Sequence, residues 1–299
     1  MQLIDQTKID KITHVSYFVK KWRKMKFKDK LKKIVAKNNS LLCVGLDSDI
    51  MIIPEHIRNG EHPQFTFNKA IIDATYELVC AYKPNSAFYE ARGNSGIEAV
   101  KMTCDYLKEK YPEIVIILDA KRADIGNTNE GYVKFAFDFL GADAITVNQY
   151  LGKEALKPFL DRKDKGIFIL CRTSNPGAGE LQDLKIDDRT LYQVLAEKVA
   201  KEWNYNGNCG LVVGATYPSE LEIVRHIVGN MPLLIPGVGT QGGDVEKTVK
   251  AGVDKDGQNA IINSSRGIIF ASSGEDFAQK AKDETKKLKD LINLYRRKI

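Results

Sequence analysis

Long apolar runs are missing from this 299-residue chain, and with them any stretch of the roughly 20 residues that a membrane-spanning helix needs. No apolar core ahead of a small-residue cleavage site marks a secretory signal, so a cytoplasmic setting without membrane partners is expected. Cysteine is sparse and odd in number: Cys43, Cys80, Cys104, Cys171 and Cys209 are widely spaced and form no Cys-x-x-Cys pair. Most sit in apolar runs, which favours reduced core thiols over a disulfide framework or a zinc cluster. Histidine is scarcer still. None of His14, His56, His62 and His226 closes an apolar run, so histidine-based catalysis or metal binding has little to stand on. Linkers rich in Pro, Gly or Ser, low-complexity blocks and short repeats are also absent, which leaves one large α/β domain or two smaller ones.

What is present is ordinary in total and uneven in distribution. The chain is 43% hydrophobic and 28% charged, as expected of a soluble globular protein, with a formal charge of +6. Residues 1–38 hold 12 of the 45 Lys and Arg but only 3 of the 39 Asp and Glu, so the front carries +9 and the body −3. Within residues 18–39, Phe27, Leu31, Ile34 and Val35 recur at helical spacing among lysines, which predicts a basic amphipathic helix opening at Met25. Such a helix either binds a membrane surface or nucleic acid, or packs its apolar stripe on the domain and solvates its lysines. A single helix ahead of an acidic body favours packing and no nucleic acid partner. The lone Arg23 argues against a transit peptide. Residues 1–24 lack a core pattern and read as a dispensable extension of a domain spanning 25–299.

From Ser40 onward, eight short apolar runs alternate with longer segments of helical period. The runs are 41–47, 79–85, 114–120, 144–148, 166–173, 209–216, 232–239 and 260–267. Helical segments are expected around 68–77, 96–109, 131–140, 191–202, 218–228, 242–251 and 276–297. The alternation points to βαβ units and a parallel sheet. Eight strands in about 250 residues fit a TIM (β/α)8 barrel better than an open doubly wound sheet.

A barrel enzyme builds its site at the C-terminal ends of the strands, and here those ends are polar. They carry Asp47, Lys83 with Asn85, Asp119 with Lys121, Asn148, Thr173 with Ser174, Thr216, Pro236 through Gly239, and Ser265 with Arg266. Strand alternation puts Asp119 and Lys121 on one face with Val115 and Ile117, opposite charges at the end of a buried strand, with Asp124 close behind. Lys83 requires an acidic partner, which Asp119 or Asp47 can supply. Gly237, Gly239 and Gly242 match G-x-G-x-x-G, but they fall in the penultimate unit and the next strand ends without an acidic residue to hold a ribose. A glycine-rich loop carrying Gln241, followed by Arg266 and the amides of Gly267 and Ile268, suits a phosphate group instead.

Together these residues resemble the orotidine 5′-monophosphate decarboxylase family. The resemblance rests on Asp-x-Lys-x-x-Asp-Ile at 119–125 with Thr128, GLD at 45–47, the Lys83 strand, TSNPGAGELQ from Thr173, PGVGTQGGD from Pro236 and SSRGI from Ser264. TSNPGA and VNQYLG are most similar to the longer bacterial-type branch, although Gln149 stands where proline is common. The resemblance implies a barrel homodimer that needs no metal or cofactor. It assigns Lys83, Asp119, Lys121 and Asp124 to an alternating charged network, with Asp124, Ile125 and Thr128 reaching the neighbouring subunit's site. Asp47 would bind the ribose, Ser174 the pyrimidine, and Gln241 and Arg266 the phosphate of a nucleotide monophosphate. Asn85, Pro236 and Gly267 complete the expected substrate contacts.

The implied chemistry is consistent with those groups. Loss of CO₂ from C6 of orotate leaves a carbanion with no adjacent electron sink, which a preorganised ammonium such as Lys121 can both stabilise and protonate. Two other functions fit parts of the pattern: a metal-assisted sugar-phosphate lyase on the same barrel, and a catalytically silent anion-binding protein using the basic helix.

Overall fold

The computed structural model describes residues 21–22, 25–238 and 244–296. Most of the front extension and part of the glycine-rich loop, Gln241 included, therefore lie outside the described residues.

Eight strands close into one parallel barrel: β1 (Leu42–Leu46), β2 (Ala81–Pro84), β3 (Val115–Arg122), β4 (Ala144–Val147), β5 (Gly166–Arg172), β8 (Cys209–Val213), β9 (Leu233–Pro236) and β10 (Ala260–Ser264). They lie around the ring in chain order, and β10 pairs with β1 to complete it. Each coincides with one of the eight apolar runs. Continuous runs rather than alternating ones are what a strand buried on both faces requires, and β1, β2, β4, β8 and β10 are buried at every position. The fold is the expected TIM barrel.

A helix follows every barrel strand, as the βαβ reading requires. Counting the helix before β1, α1 (Phe27–Asn38), they are α2 (Pro63–Thr75), α3 (Gly93–Lys110), α4 (Gly126–Val133), α5 (Gly152–Leu160), α6 (Leu191–Lys198), α7 (Pro218–Val228), α8 (Val245–Gly252) and α9 (Phe277–Arg296). Three details depart from expectation. Helix α5 is absent from the helices expected from the sequence; it runs through Pro158, with Ala155, Leu156, Phe159 and Leu160 as its buried stripe. The segment expected at 131–140 begins earlier, at Gly126, and continues into a wider π-helical turn over Lys134–Phe139. A small antiparallel hairpin, β6 (Lys185–Ile186) with β7 (Arg189–Thr190), is inserted between β5 and α6. Its strands are too short to produce a pattern.

Helix α1 packs its apolar stripe on the domain, as expected. It opens at Phe27 rather than Met25, and Phe27, Leu31, Ile34 and Val35 are all buried. Phe27 meets Phe168 edge-on at 5.6 Å, and a Cβ on Gly166 would lie 2.6 Å from the Phe27 ring, so glycine at the start of β5 makes room for this contact. Lys30 is buried too. Its Nζ lies 2.7 Å from Asp143 Oδ2, and that oxygen also accepts from the Ile116 amide. The helix thus caps the N-terminal end of the barrel, opposite the mouth, by burying its apolar stripe. No helix among the described residues is long and apolar enough to cross a membrane.

Candidate active site

At the C-terminal mouth a cavity of about 400 Å³ opens inside the ring. Its lining includes Asp47, Lys83, Asn85, Asp119, Lys121, Ser174, Pro236 and Arg266 from the sequence-based set. These residues come from strand ends far apart in the chain, and closure of the barrel brings them together.

A chain of alternating charge runs across the mouth. Lys83 Nζ lies 2.8 Å from Asp119 Oδ2 and 4.0 Å from Asp47 Oδ1, and Lys121 Nζ lies 2.7 Å from Asp119 Oδ1. Both acidic partners expected for Lys83 are therefore present. Lys83 and Asp119 are nearly out of solvent, with side chains 4% and 10% exposed, whereas the Lys121 side chain is 48% exposed in the single chain. Burial works against the Lys83 ammonium, but Asp119 and then Asp47 hold its pKa above the ordinary lysine value. Burial likewise opposes the Asp119 carboxylate, and Lys83 and Lys121 pull its pKa well below the ordinary range. Asp119 stays ionised because it is flanked by two cations.

Simple alternation does not produce this geometry. Strand β3 keeps register with β4 through Leu118, opposite Ile145, and then shifts so that Arg122 meets Val147. Within that irregularity Lys121 adopts a φ of +47°, a left-handed backbone that non-glycine residues rarely adopt. The ammonium reaches Asp119 from a bulge.

Thr146 and Asn263 are polar lining residues that the sequence did not mark. Thr146 lies inside β4 with its side chain against Asp119, and Asn263 lies near the end of β10. For Thr146 the available signal was a polar residue within the otherwise apolar β4; Asn263 stands with Ser264 at the polar end of β10. Asn263 Oδ1 and Asp47 Oδ1 are buried acceptors without a hydrogen-bond partner among the described residues, which suits a ligand bringing hydroxyl or N–H donors. Small size matters beside them: a Cβ on Gly45 would fall 1.9 Å from Ser265 Oγ, so glycine in β1 lets the residue before Arg266 sit against the wall.

The remaining expected residues lie elsewhere. Gly267 follows Arg266 in the short helical turn Arg266–Ile269, whose first residue lines the cavity. Asp124, Ile125 and Thr128 do not line this chain's own cavity. The Asp124 carboxylate accepts from the Ile125 amide, and Ile125 is 61% exposed at the start of α4. Two strands round the ring from β3, at the end of β5, Arg172 stacks on Tyr217 at 4.1 Å and pairs with Asp183 at 3.0 Å, while Gln182 Oε1 accepts from the Thr173 amide. These contacts fix the loop that carries Ser174. Among the described residues no three His, Cys, Asp or Glu side chains converge as metal ligands.

A closed parallel barrel with an ion-paired charge chain in its C-terminal mouth defines the class, a TIM-barrel enzyme. Comparison with known proteins narrows it. The family model described as orotidine 5′-phosphate decarboxylase / HUMPS matches residues 40–281, and the chain belongs to that family. A protein of Janthinobacterium sp. (strain Marseille) named orotidine 5′-phosphate decarboxylase, a lyase, is 48% identical over 272 residues, covering 91% of this chain and 99% of that protein. The orotidine 5′-phosphate decarboxylase of Cellvibrio japonicus is 49% identical over 248 residues, covering 82% of this chain and 90% of its own. Among solved structures, Leishmania donovani OMP decarboxylase superposes with a TM-score of 0.76 at 36% identity, covering 90% of this chain and 99% of that one. Leishmania donovani UMP synthase reaches 0.82 at 38% identity over 92% of this chain, which spans only 57% of that longer chain.

Proposed function

We propose that this protein converts orotidine 5′-monophosphate to uridine 5′-monophosphate and CO₂, as a homodimer with shared sites and without a metal or cofactor. The observation that carries the proposal is the Asp119 carboxylate held between two ammonium groups at the barrel mouth. In this reading the phosphate binds at Arg266, the Gly267 amide and Gln241. Asp47 takes the ribose hydroxyls. Ser174, with Asn85 and Pro236 nearby, surrounds the base, whose C6 then faces Lys121. The C6–carboxylate bond breaks, its electron pair stays on C6, and the Lys121 ammonium stabilises that charge and delivers a proton to it. Fixed, mostly buried charges need little reorganisation as the carbanion develops. Asp119 repels the departing carboxylate as well, but its firmer role is to hold Lys121.

The half-exposed Lys121, the partly exposed Asp124 and the exposed Ile125 and Thr128, all three outside the cavity lining, support the dimer reading. In it, the partner's copy of that segment covers Lys121 and adds a second carboxylate beside it. Binding energy from the phosphate, remote from C6, is used to order the site, so changes to the glycine-rich loop should lower the catalysed rate as well as affinity.

The test is loss of orotidine 5′-monophosphate absorbance in the ultraviolet on addition of purified protein, with and without chelator. Turnover indifferent to chelator is expected. Folded protein without turnover would refute the proposal, and turnover abolished by chelator would favour a metal-assisted lyase.

A further inference from the structure

We infer that Thr146 is the positioning residue that sets Lys121 for proton delivery, an inference that rests on the decarboxylase reading of this site. Strands β3 and β4 pair regularly at Ile117 with Ala144 and Leu118 with Ile145, and pair next at Arg122 with Val147. Asp119, Ala120 and Lys121 therefore all lie opposite the single residue Thr146. A bulge of that size leaves backbone amides without ladder partners, and buried amides must find one. Both find the same atom. The Ala120 and Lys121 amides each donate to Thr146 Oγ1 at 3.0 Å.

A hydroxyl has two lone pairs and one proton. The two amides occupy the lone pairs, so the proton is left with one use, and it goes to Asp119 Oδ1 at 2.8 Å. That oxygen is also the one the Lys121 ammonium touches, at 2.7 Å. The hydroxyl of a single residue that is 1% exposed thus fixes the left-handed backbone from which Lys121 springs and the carboxylate on which its ammonium rests. Asp119 is already ionised by its lysines, so the contribution of Thr146 is direction. Valine has the same shape and would remove all three hydrogen bonds. Serine would keep them.

The experiment compares full-length wild type, Thr146→Val, Thr146→Ser and Thr146→Ala, with melting curves to establish folding. Thr146→Val should lower kcat by about 100-fold, the scale of a misplaced reacting group, with KM changed by less than about threefold. Thr146→Ser should restore kcat to within about tenfold of wild type, a rescue that a purely steric role would not produce. A folded Thr146→Val with wild-type kcat, or a serine variant as impaired as the valine one, would overturn the inference. If valine prevents folding, the Ser and Ala pair decides: alanine well below serine supports the role, and equality removes it. If wild type itself does not decarboxylate the nucleotide, the decarboxylase reading falls separately. Crystal structures of the Val and Ser variants then judge the positioning. Lys121 leaving its positive φ and Asp119 in valine but not in serine supports it, and an unmoved Lys121 in both overturns it.

Discussion

Lys83 Nζ and Asp119 Oδ2 lie 2.8 Å apart at the barrel mouth with almost no solvent between them and the core. A buried pair of this kind stabilises only while both partners are charged, because removing either charge leaves the other desolvated.

Stability should therefore fall at both ends of the pH scale. Asp119 holds its proton less tightly when folded, so its contribution is complete above the ordinary carboxylate value of 3.8 and is lost as pH falls towards the depressed folded value. Lys83 has the opposite sign. Its raised pKa gives stability that is complete below the ordinary value of 10.5 and is lost as pH climbs through the folded value. Urea unfolding should show wild type losing stability below about pH 4 more steeply than Asp119→Asn. Parallel curves would contradict the assignment.

The front helix should prove structural. Lys30→Met leaves Asp143 without its cation at the barrel floor, at a cost of about 3 kcal/mol, with KM for the nucleotide unchanged. Deleting residues 1–24 retains all of α1 and should leave a folded, active protein. Urea unfolding and steady-state kinetics check both. A truncated protein that fails to fold would contradict the second expectation.

The eight strands are legible in the sequence because a strand buried on both faces is a continuous apolar run, and their polar ends mark the mouth. Asp47, Lys83, Asp119 and Lys121 are found that way. The bulge at Lys121 is not, since two-residue alternation predicts the same face for Asp119 and Lys121 without revealing the shift that brings their charges into contact. Thr146 is hidden for a related reason. Its importance depends on which β3 amides lie opposite it, and register between strands is a property of the closed barrel.

If Asp124 serves the neighbouring subunit, two damaged proteins should repair each other. Lys121→Ala and Asp124→Ala are each expected to be nearly inactive alone. Mixed under conditions of subunit exchange, a heterodimer holds one site with both residues intact, so activity should return towards half that of wild type per heterodimer. Exchange shown by mass spectrometry without recovered activity would rule out the shared site.

The central claim is that the Lys121 ammonium, held by Asp119, carries the proton to C6. Its most direct measurement is single-turnover decarboxylation of orotidine 5′-monophosphate by wild type and Lys121→Ala side by side in chelator. Wild type should release CO₂ and form uridine 5′-monophosphate, and the variant, still folded and still binding the nucleotide, should be slower by at least about 100-fold, the lower end for loss of a general acid. A Lys121→Ala protein that decarboxylates at the wild-type rate would contradict the account.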